Sequence, residues 1–258
     1  MEITALLENT TKRADMLTEH GLSLYIKTGT HRILFDMGQS DFFLQNARTL
    51  GIDLSGVDIA VLSHGHYDHG GGCSAFFSVN DTAPVYCSRY SFEPHYNAVE
   101  RYIGLDPSLA ASDRFIFTED TLTIAPGITL YSCNDRVRPY GTDCAGLSVR
   151  REEKLIPEDF RHEQYLLIEE EGNRILISGC SHKGILNIME WFAPDVLVGG
   201  FHFMKTEPGE TLTRAAKKLN QYPTRYYTGH CTGELQYTYL KKYMTGLHSL
   251  SCGKTVVI

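Results

Sequence analysis

Short apolar runs alternate along the chain with stretches whose apolar residues recur every third or fourth position, the pattern of strands and helices layered around sheets. The runs predict strands at about 2–7, 21–27, 31–36 and 57–63, with a helix at about 40–50 between the last two. Between about 114 and 131 the segments RFIF, TLTI and ITLYS read as consecutive antiparallel strands joined by turn residues. A second half repeats the plan. It has strands at about 164–170, 173–178, 195–199 and 224–227, helices at about 183–192, 209–220 and 232–243, and a closing strand at about 254–258. No low-complexity linker divides the halves, so we expect one α/β domain over residues 1–258, built of two sheets packed face to face with helices outside. Residues 88–112 break the rhythm and predict a loop–helix insertion, with Tyr90, Phe92, Tyr96 and Tyr102 as its apolar residues.

Composition narrows the function classes. A chain of 258 residues buries enough surface to fold without a structural metal, so any metal site calls for a chemical explanation. Charge is 24 basic against 31 acidic residues, a net of −7, and no basic run is present. That disfavours nucleic acid and anionic membranes as partners and leaves a small-molecule substrate. The beginning of the sequence lacks a signal-peptide pattern and no run of apolar residues is long enough to span a bilayer, so a cytoplasmic location is expected. The seven cysteines are odd in number, spread out and free of any CxxC pair, which predicts reduced thiols.

The chemistry concentrates after the strand at 57–63, in His64-Gly65-His66-Tyr67-Asp68-His69-Gly70-Gly71-Gly72. Residues two apart on an extended segment share a face, so the imidazoles of His64 and His66 converge on one point and can grip one cation. Once the chain turns, Asp68 and His69 present an oxygen and a nitrogen beside it, suited to a second ion. Four residues cannot complete two shells, so further ligands must arrive from the second half. His182, at the head of a helix, is a ligand candidate, and His202 stands at a strand's end where it can contact substrate. No GxSxG elbow or GxxxxGK loop offers an alternative chemistry.

With HxHxDH matched in full by His64, His66, Asp68 and His69, the chain resembles the metallo-β-lactamase superfamily. Leu34-Phe35-Asp36-Met37-Gly38 is similar to the segment that precedes that motif, and the two-half layout is similar to its αββα sandwich of two mixed sheets. Glu19-His20-Gly21-Leu22-Ser23, Ser178-Gly179-Cys180-Ser181-His182, Gly199-Gly200-Phe201-His202 and His230-Cys231-Thr232-Gly233 further resemble the branch related to archaeal 7,8-dihydropterin-6-yl-methyl-4-(β-D-ribofuranosyl)aminobenzene 5'-phosphate synthase.

The resemblance implies that His230, at the superfamily's final histidine position, holds the second ion. It also implies that a strand ends in an aspartate bridging both ions; here that strand ends in Cys180, a departure that leaves a thiolate ligand or an inert buried thiol as the alternatives. His20 matches a feature of the branch near its site and is a candidate contact for substrate or a ligand. The nearest match to the superfamily's remaining second-half histidine is His162-Glu163, which reads here as a solvated turn. His31, His95 and His248 carry no such argument.

Two divalent ions, zinc first and manganese or iron also suited, would lower the pKa of a shared water toward neutrality, with Asp68 accepting its hydrogen bond. The leading expectation is therefore a metal-dependent hydrolase of an ester, phosphoester or related small molecule. The branch implies a second expectation, a transferase that stacks a pterin on Tyr90, Phe92 and Phe203. A third, a metal or redox sensor without turnover, arises from Cys180 and Cys231 flanking the site.

Overall fold

In the strand Ile59–Val61, Ile59 and Val61 point into one apolar cluster and Ala60 into another, so this short strand is buried on both faces. The same alternation, repeated over many strands, produces a layered molecule. The computed structural model describes residues 1–258. Its first half runs β1 (Glu2–Leu7), β2 (Ser23–Lys27), β3 (Arg32–Phe35), α1 (Phe42–Thr49), β4 (Ile59–Val61), α2 (Tyr67–Gly70), α3 (Cys73–Phe77), β5 (Val85–Ser88), β6 (His95–Tyr96) and β7 (Phe115–Thr118). Then follow β8 (Thr121–Ala125), β9 (Ile128–Tyr131), β10 (Ser148–Arg151), β11 (Lys154–Pro157), β12 (Tyr165–Glu170) and β13 (Asn173–Ile177). The chain ends with α4 (Ile185–Phe192), β14 (Val196–Val198), α5 (Glu210–Leu219), β15 (Arg225–Thr228), α6 (Glu234–Leu240), β16 (Leu247–Ser249) and β17 (Thr255–Val257).

Two seven-stranded mixed sheets, ordered β17-β1-β2-β3-β4-β5-β7 and β16-β15-β14-β13-β12-β9-β8, enclose the central core. Ile33, Phe35 and Val61 meet Leu166, Ile177 and Val198 across it. On the outer face of the first sheet, Leu34 and Ala60 pack against Phe43 and Ala47 of α1; on that of the second, Leu176 and Leu197 pack against Ile188 of α4 and Leu212 of α5. The result is an αββα sandwich. A third sheet of three short strands, β11-β10-β6, lies apart from both. No helix is long and apolar enough to cross a membrane.

Three expectations need correction. The segments at 114–131 are not one antiparallel run: β7 pairs parallel with β5 in the first sheet, and β8 and β9 form a hairpin in the second. Phe115 anchors β7 in the outer cluster of the first sheet, and this burial separates it from its sequence neighbours. Residues 88–112 contain no α-helix but the two-residue β6 and a 3-10 turn at Pro107–Ala111. Tyr90 and Phe92, expected to stack a pterin, pack elsewhere: Tyr90 lies under the Arg161 guanidinium, and Phe92 packs edge-on against Phe115.

Strands β3, β4 and β5 are parallel to one another, as are β13, β14 and β15. The carboxyl ends of such strands are where α/β folds place reactive loops. Asp36 follows β3, His64 follows β4, Cys180 and His182 follow β13, His202 follows β14, and His230 follows β15.

Candidate metal centre

Asp36 organises the corner. Its backbone sits in the left-handed region at φ 58°, which turns the carboxylate back beneath the histidine loop. There it accepts hydrogen bonds from the Ser63 amide and the Ser63 hydroxyl, each at 2.7 Å, and from His69 Nδ1 at 2.7 Å. Ser63 Oγ in turn accepts from His64 Nδ1 at 2.8 Å. These partners fix the hydrogens of both rings on Nδ1 and leave each Nε2 to face inward.

What meets those nitrogens comes from the other half of the chain. His182 Nε2 lies 3.3 Å from His64 Nε2, and His230 Nε2 lies 3.1 Å from His69 Nε2. His230 Nδ1 donates to Asn9 Oδ1 at 2.9 Å, so its Nε2 also presents a lone pair. Cys180 Sγ is 3.2 Å from His69 Nε2. Asp68 Oδ2 approaches His69 at 3.7 Å, His230 at 3.4 Å and His20 at 3.4 Å. Donor atoms therefore gather in sets: His64, His66 and His182; His64, His69 and Cys180; Cys180, His230 and Cys231; and His20, Asp68 and His230.

Lone pairs aimed at each other at 3.1 Å repel unless a cation or a proton lies between them. Without an ion a proton serves. Burial works against charge on His69, but Asp36 and Asp68 outweigh it and raise the ring to about 9. His230 is pushed down to about 4 by burial, and His64, His66 and His182 are pushed well below the usual imidazole range by burial and by one another. Burial also opposes ionisation of Asp68, yet His69 and His230 hold it well below the usual carboxylate range. Burial and the neighbouring Cys231 raise the Cys180 thiol far above its ordinary value. The His182 pair lacks even a proton's full remedy: His182 Nδ1 is buried with no partner. A donor set of imidazole, carboxylate and thiol with unsatisfied buried nitrogens fits a borderline divalent cation such as zinc.

The structure thus brings together the histidine, aspartate and cysteine candidates proposed for the site. His202 stacks obliquely on His182 with ring centroids 4.3 Å apart, and burial pushes it down to about 4. His20 is the most exposed member, bonded to Asn9 Nδ2 through its Nδ1. His162 and Glu163 do not form a solvated turn: both are fully buried where the sheets' edges meet. Glu163 accepts from the amides of His182 at 2.6 Å and Lys183 at 2.9 Å and from the Tyr165 hydroxyl at 2.6 Å, which fixes the turn bearing His182. Phe160 stacks on His182 from below, at 4.6 Å and 10° between planes.

Residues 18–230 match the family described as the metallo-beta-lactamase superfamily. The chain belongs to that superfamily. Among its relatives is the 7,8-dihydropterin-6-methyl-4-(beta-D-ribofuranosyl)-aminobenzene-5'-phosphate synthase of Methanocaldococcus jannaschii, 25% identical over 93% of this chain and 90% of the relative. An uncharacterized protein of the same organism is 29% identical over 90% of each chain. A crystal structure described as a metal-dependent hydrolase of the beta-lactamase superfamily, Tm1679, superposes with a TM-score of 0.86 at 29% identity, over 100% of this chain and 99% of that one.

Sequence reasoning missed four supports of this superfamily site. Glu8 accepts from the His230 amide and Asn9 from its ring, while His95, bonded to Glu158, lies buried with its ring centroid 5.5 Å from that of His66. Gly65 in the histidine loop is sterically required: a Cβ there would stand 2.1 Å from the Ser91 carbonyl oxygen. Gly65→Ala is expected to cost about 1–3 kcal/mol, as overpacking does, read as a lower denaturation midpoint at unchanged slope.

Proposed function

We propose that this protein is a metal-dependent hydrolase of a small anionic substrate, holding two divalent ions, zinc foremost. His64, His66 and His182 would hold one ion; Asp68, His69 and His230 the other, with Cys180 beside His69. The observation that carries the reading is the opposition of the His69 and His230 Nε2 lone pairs at 3.1 Å, with both hydrogens committed elsewhere. Two such ions would supply an acidic water and a Lewis-acid pull on a carbonyl or phosphoryl oxygen.

The chain's own residues do the rest. Asp68 stays ionised and can accept a proton at Oδ2, and His202, kept neutral, can hydrogen-bond a substrate on the His182 side. The cleft above measures about 1120 Å³ and is framed by Tyr67, Tyr140, Phe201 and Phe203. Lys205, Arg214 and Lys218 line it as well. Two dications facing one carboxylate and one thiol leave surplus positive charge, and the basic residues add to it, so the cleft selects an anion with a flat apolar portion.

A second reading, transfer between two bound substrates, is supported by the cleft's size, which exceeds what one small molecule usually fills, and by the relative named as a synthase. One set of assays separates them. Elemental analysis is expected to give two divalent ions per chain, and turnover of chromogenic esters or phosphoesters is expected to vanish with chelator and return with zinc. Turnover only with a pterin diphosphate and an arylamine would replace the hydrolase by the transferase; bound metal without either activity would replace both by a sensor.

A further inference from the structure

Two proposed ligands, His66 and His182, each keep a buried ring nitrogen without a hydrogen-bond partner, and at His66 a candidate partner lies beside it. His66 Nε2 is sealed from solvent and lacks a hydrogen-bond partner, while the ring also lines the cleft. Beneath it, one ring nitrogen each of His66, His95 and His162 lies within 4.8 Å of the other two, and Nε2 of all three is buried and unpartnered. Ring centroids of His66 and His95 are 5.5 Å apart, edge to face at 82°.

Hydrogen positions decide what this cluster is. His162 Nδ1 accepts from the Gly65 amide at 2.8 Å, so the hydrogen of the neutral ring is on Nε2, which then has no lone pair for a cation. A third ion would be left with two ligands. His95 is set the opposite way: its Nδ1 donates to Glu158 Oε2 at 2.7 Å, so its Nε2 is an acceptor. Glu158 is itself fixed by the Phe160 amide at 3.1 Å.

We propose that His95, backed by Glu158, is a positioning residue for His66: Glu158 fixes His95 with Nε2 as acceptor, the unpartnered Nε2 atoms of His66 and His95 are complementary as donor and acceptor, and the hydrogen bond they close when the site is loaded aims His66 Nδ1 into the cleft as a ligand. Buried carboxylate–histidine pairs that orient a metal-binding imidazole and raise its basicity work in this way. The arrangement also gives the three-stranded sheet a role. β6 carries His95, paired through Val149 to β10, and Glu158 follows β11, so both partners ride on one small sheet pressed under the histidine loop. The Tyr67 amide donates to Ile103 O and the Ile103 amide to His95 O, which ties that sheet to the loop it supports.

The inference rests on His66 being a ligand, and the test keeps the two apart. The zinc-loaded full-length protein is titrated with a chromophoric chelator that resolves the affinity of each ion. In His95→Phe one ion is expected to bind roughly 10–100-fold more weakly while the other changes less than twofold. His95→Gln, whose amide oxygen can still accept, is expected to restore most of that loss, which a purely space-filling role would not produce. In the wild-type holoprotein, long-range 15N–1H spectra are expected to show His66 protonated at Nε2 and His95 at Nδ1. Affinities for both ions unchanged from wild type in His95→Phe, loss of a third equivalent, or His66 protonated at Nδ1 would each overturn the proposal, and the spectra decide should the variants fail to fold. Should His66→Ala retain both ions, the metal-centre reading itself fails; should it lose one while His95→Phe loses none, only the present inference fails.

Discussion

Asp68→Asn is expected to lower metal-dependent turnover roughly 10²–10⁴-fold, the range for losing a positioned acid–base group, with the far-ultraviolet dichroism unchanged. Asparagine keeps the shape of the side chain and removes its charge. Asp68 is the carboxylate that touches the second half of the site, 3.4 Å from His230 and 3.7 Å from His69, and it is also 3.4 Å from His20 at the cleft's rim. Its low proton affinity, set by His69 and His230 against the cost of burial, keeps it an acceptor throughout the neutral range. The loss should fall on kcat more than on KM, because the apolar and basic walls of the cleft are untouched. Turnover within tenfold of wild type at full metal occupancy would remove Asp68 from the reaction and leave it a ligand only.

The first half of the site was legible because it is contiguous: His64, His66, Asp68 and His69 share one loop, and an alternation of ligands after an apolar strand has few other uses. Of the partners from the second half, His182 was legible at the head of a helix, His202 at a strand's end and His230 through the family resemblance. What stayed hidden depends on meetings between distant segments. Glu8 and Asn9 reach His230 across more than two hundred residues, and no local pattern marks them. His162-Glu163 reads as a solvated turn because polar residues are ordinarily exposed; both are buried because they find partners, His162 Nδ1 accepting from the Gly65 amide and Glu163 from the His182 and Lys183 amides, with His162 Nε2 alone left unpartnered. The sandwich itself followed from apolar periodicity, whereas β5, β6, β10, β11 and β16 escaped notice. VYCS, SVRR and LHS are too short and too polar to show a period, and only their neighbours in the sheets make them strands.

Asp36→Asn isolates the charge beneath the site, since asparagine is among the few residues that tolerate the left-handed backbone at this position. The wild-type carboxylate is fully buried and receives three hydrogen bonds, from the Ser63 amide, the Ser63 hydroxyl and His69 Nδ1. An amide can keep one oxygen acceptor but turns a donor toward the others. Breaking such a buried pair typically costs about 3–5 kcal/mol, which in a protein of this size corresponds to a fall of about 10 °C in melting temperature. A pH dependence should change with it. In chelator-treated wild type His69 is raised to about 9 from its ordinary 6.5, so the folded state binds a proton that the unfolded chain releases. That stabilisation is complete below pH 6.5 and drains away as pH climbs toward 9. Burial depresses buried Lys183 to about 8, with the opposite sign: stability grows as pH passes above that value. The buried histidines depressed below 6.5, His64, His66, His182, His202 and His230, add stability as pH rises through that value in both proteins, so the reading is the difference between them: from pH 6.5 to 8 the metal-free wild type should lose stability relative to Asp36→Asn. Parallel slopes in the two proteins would show that Asp36 does not hold the proton on His69, and would undo the account of how the paired nitrogens of His69 and His230 are reconciled in the absence of an ion.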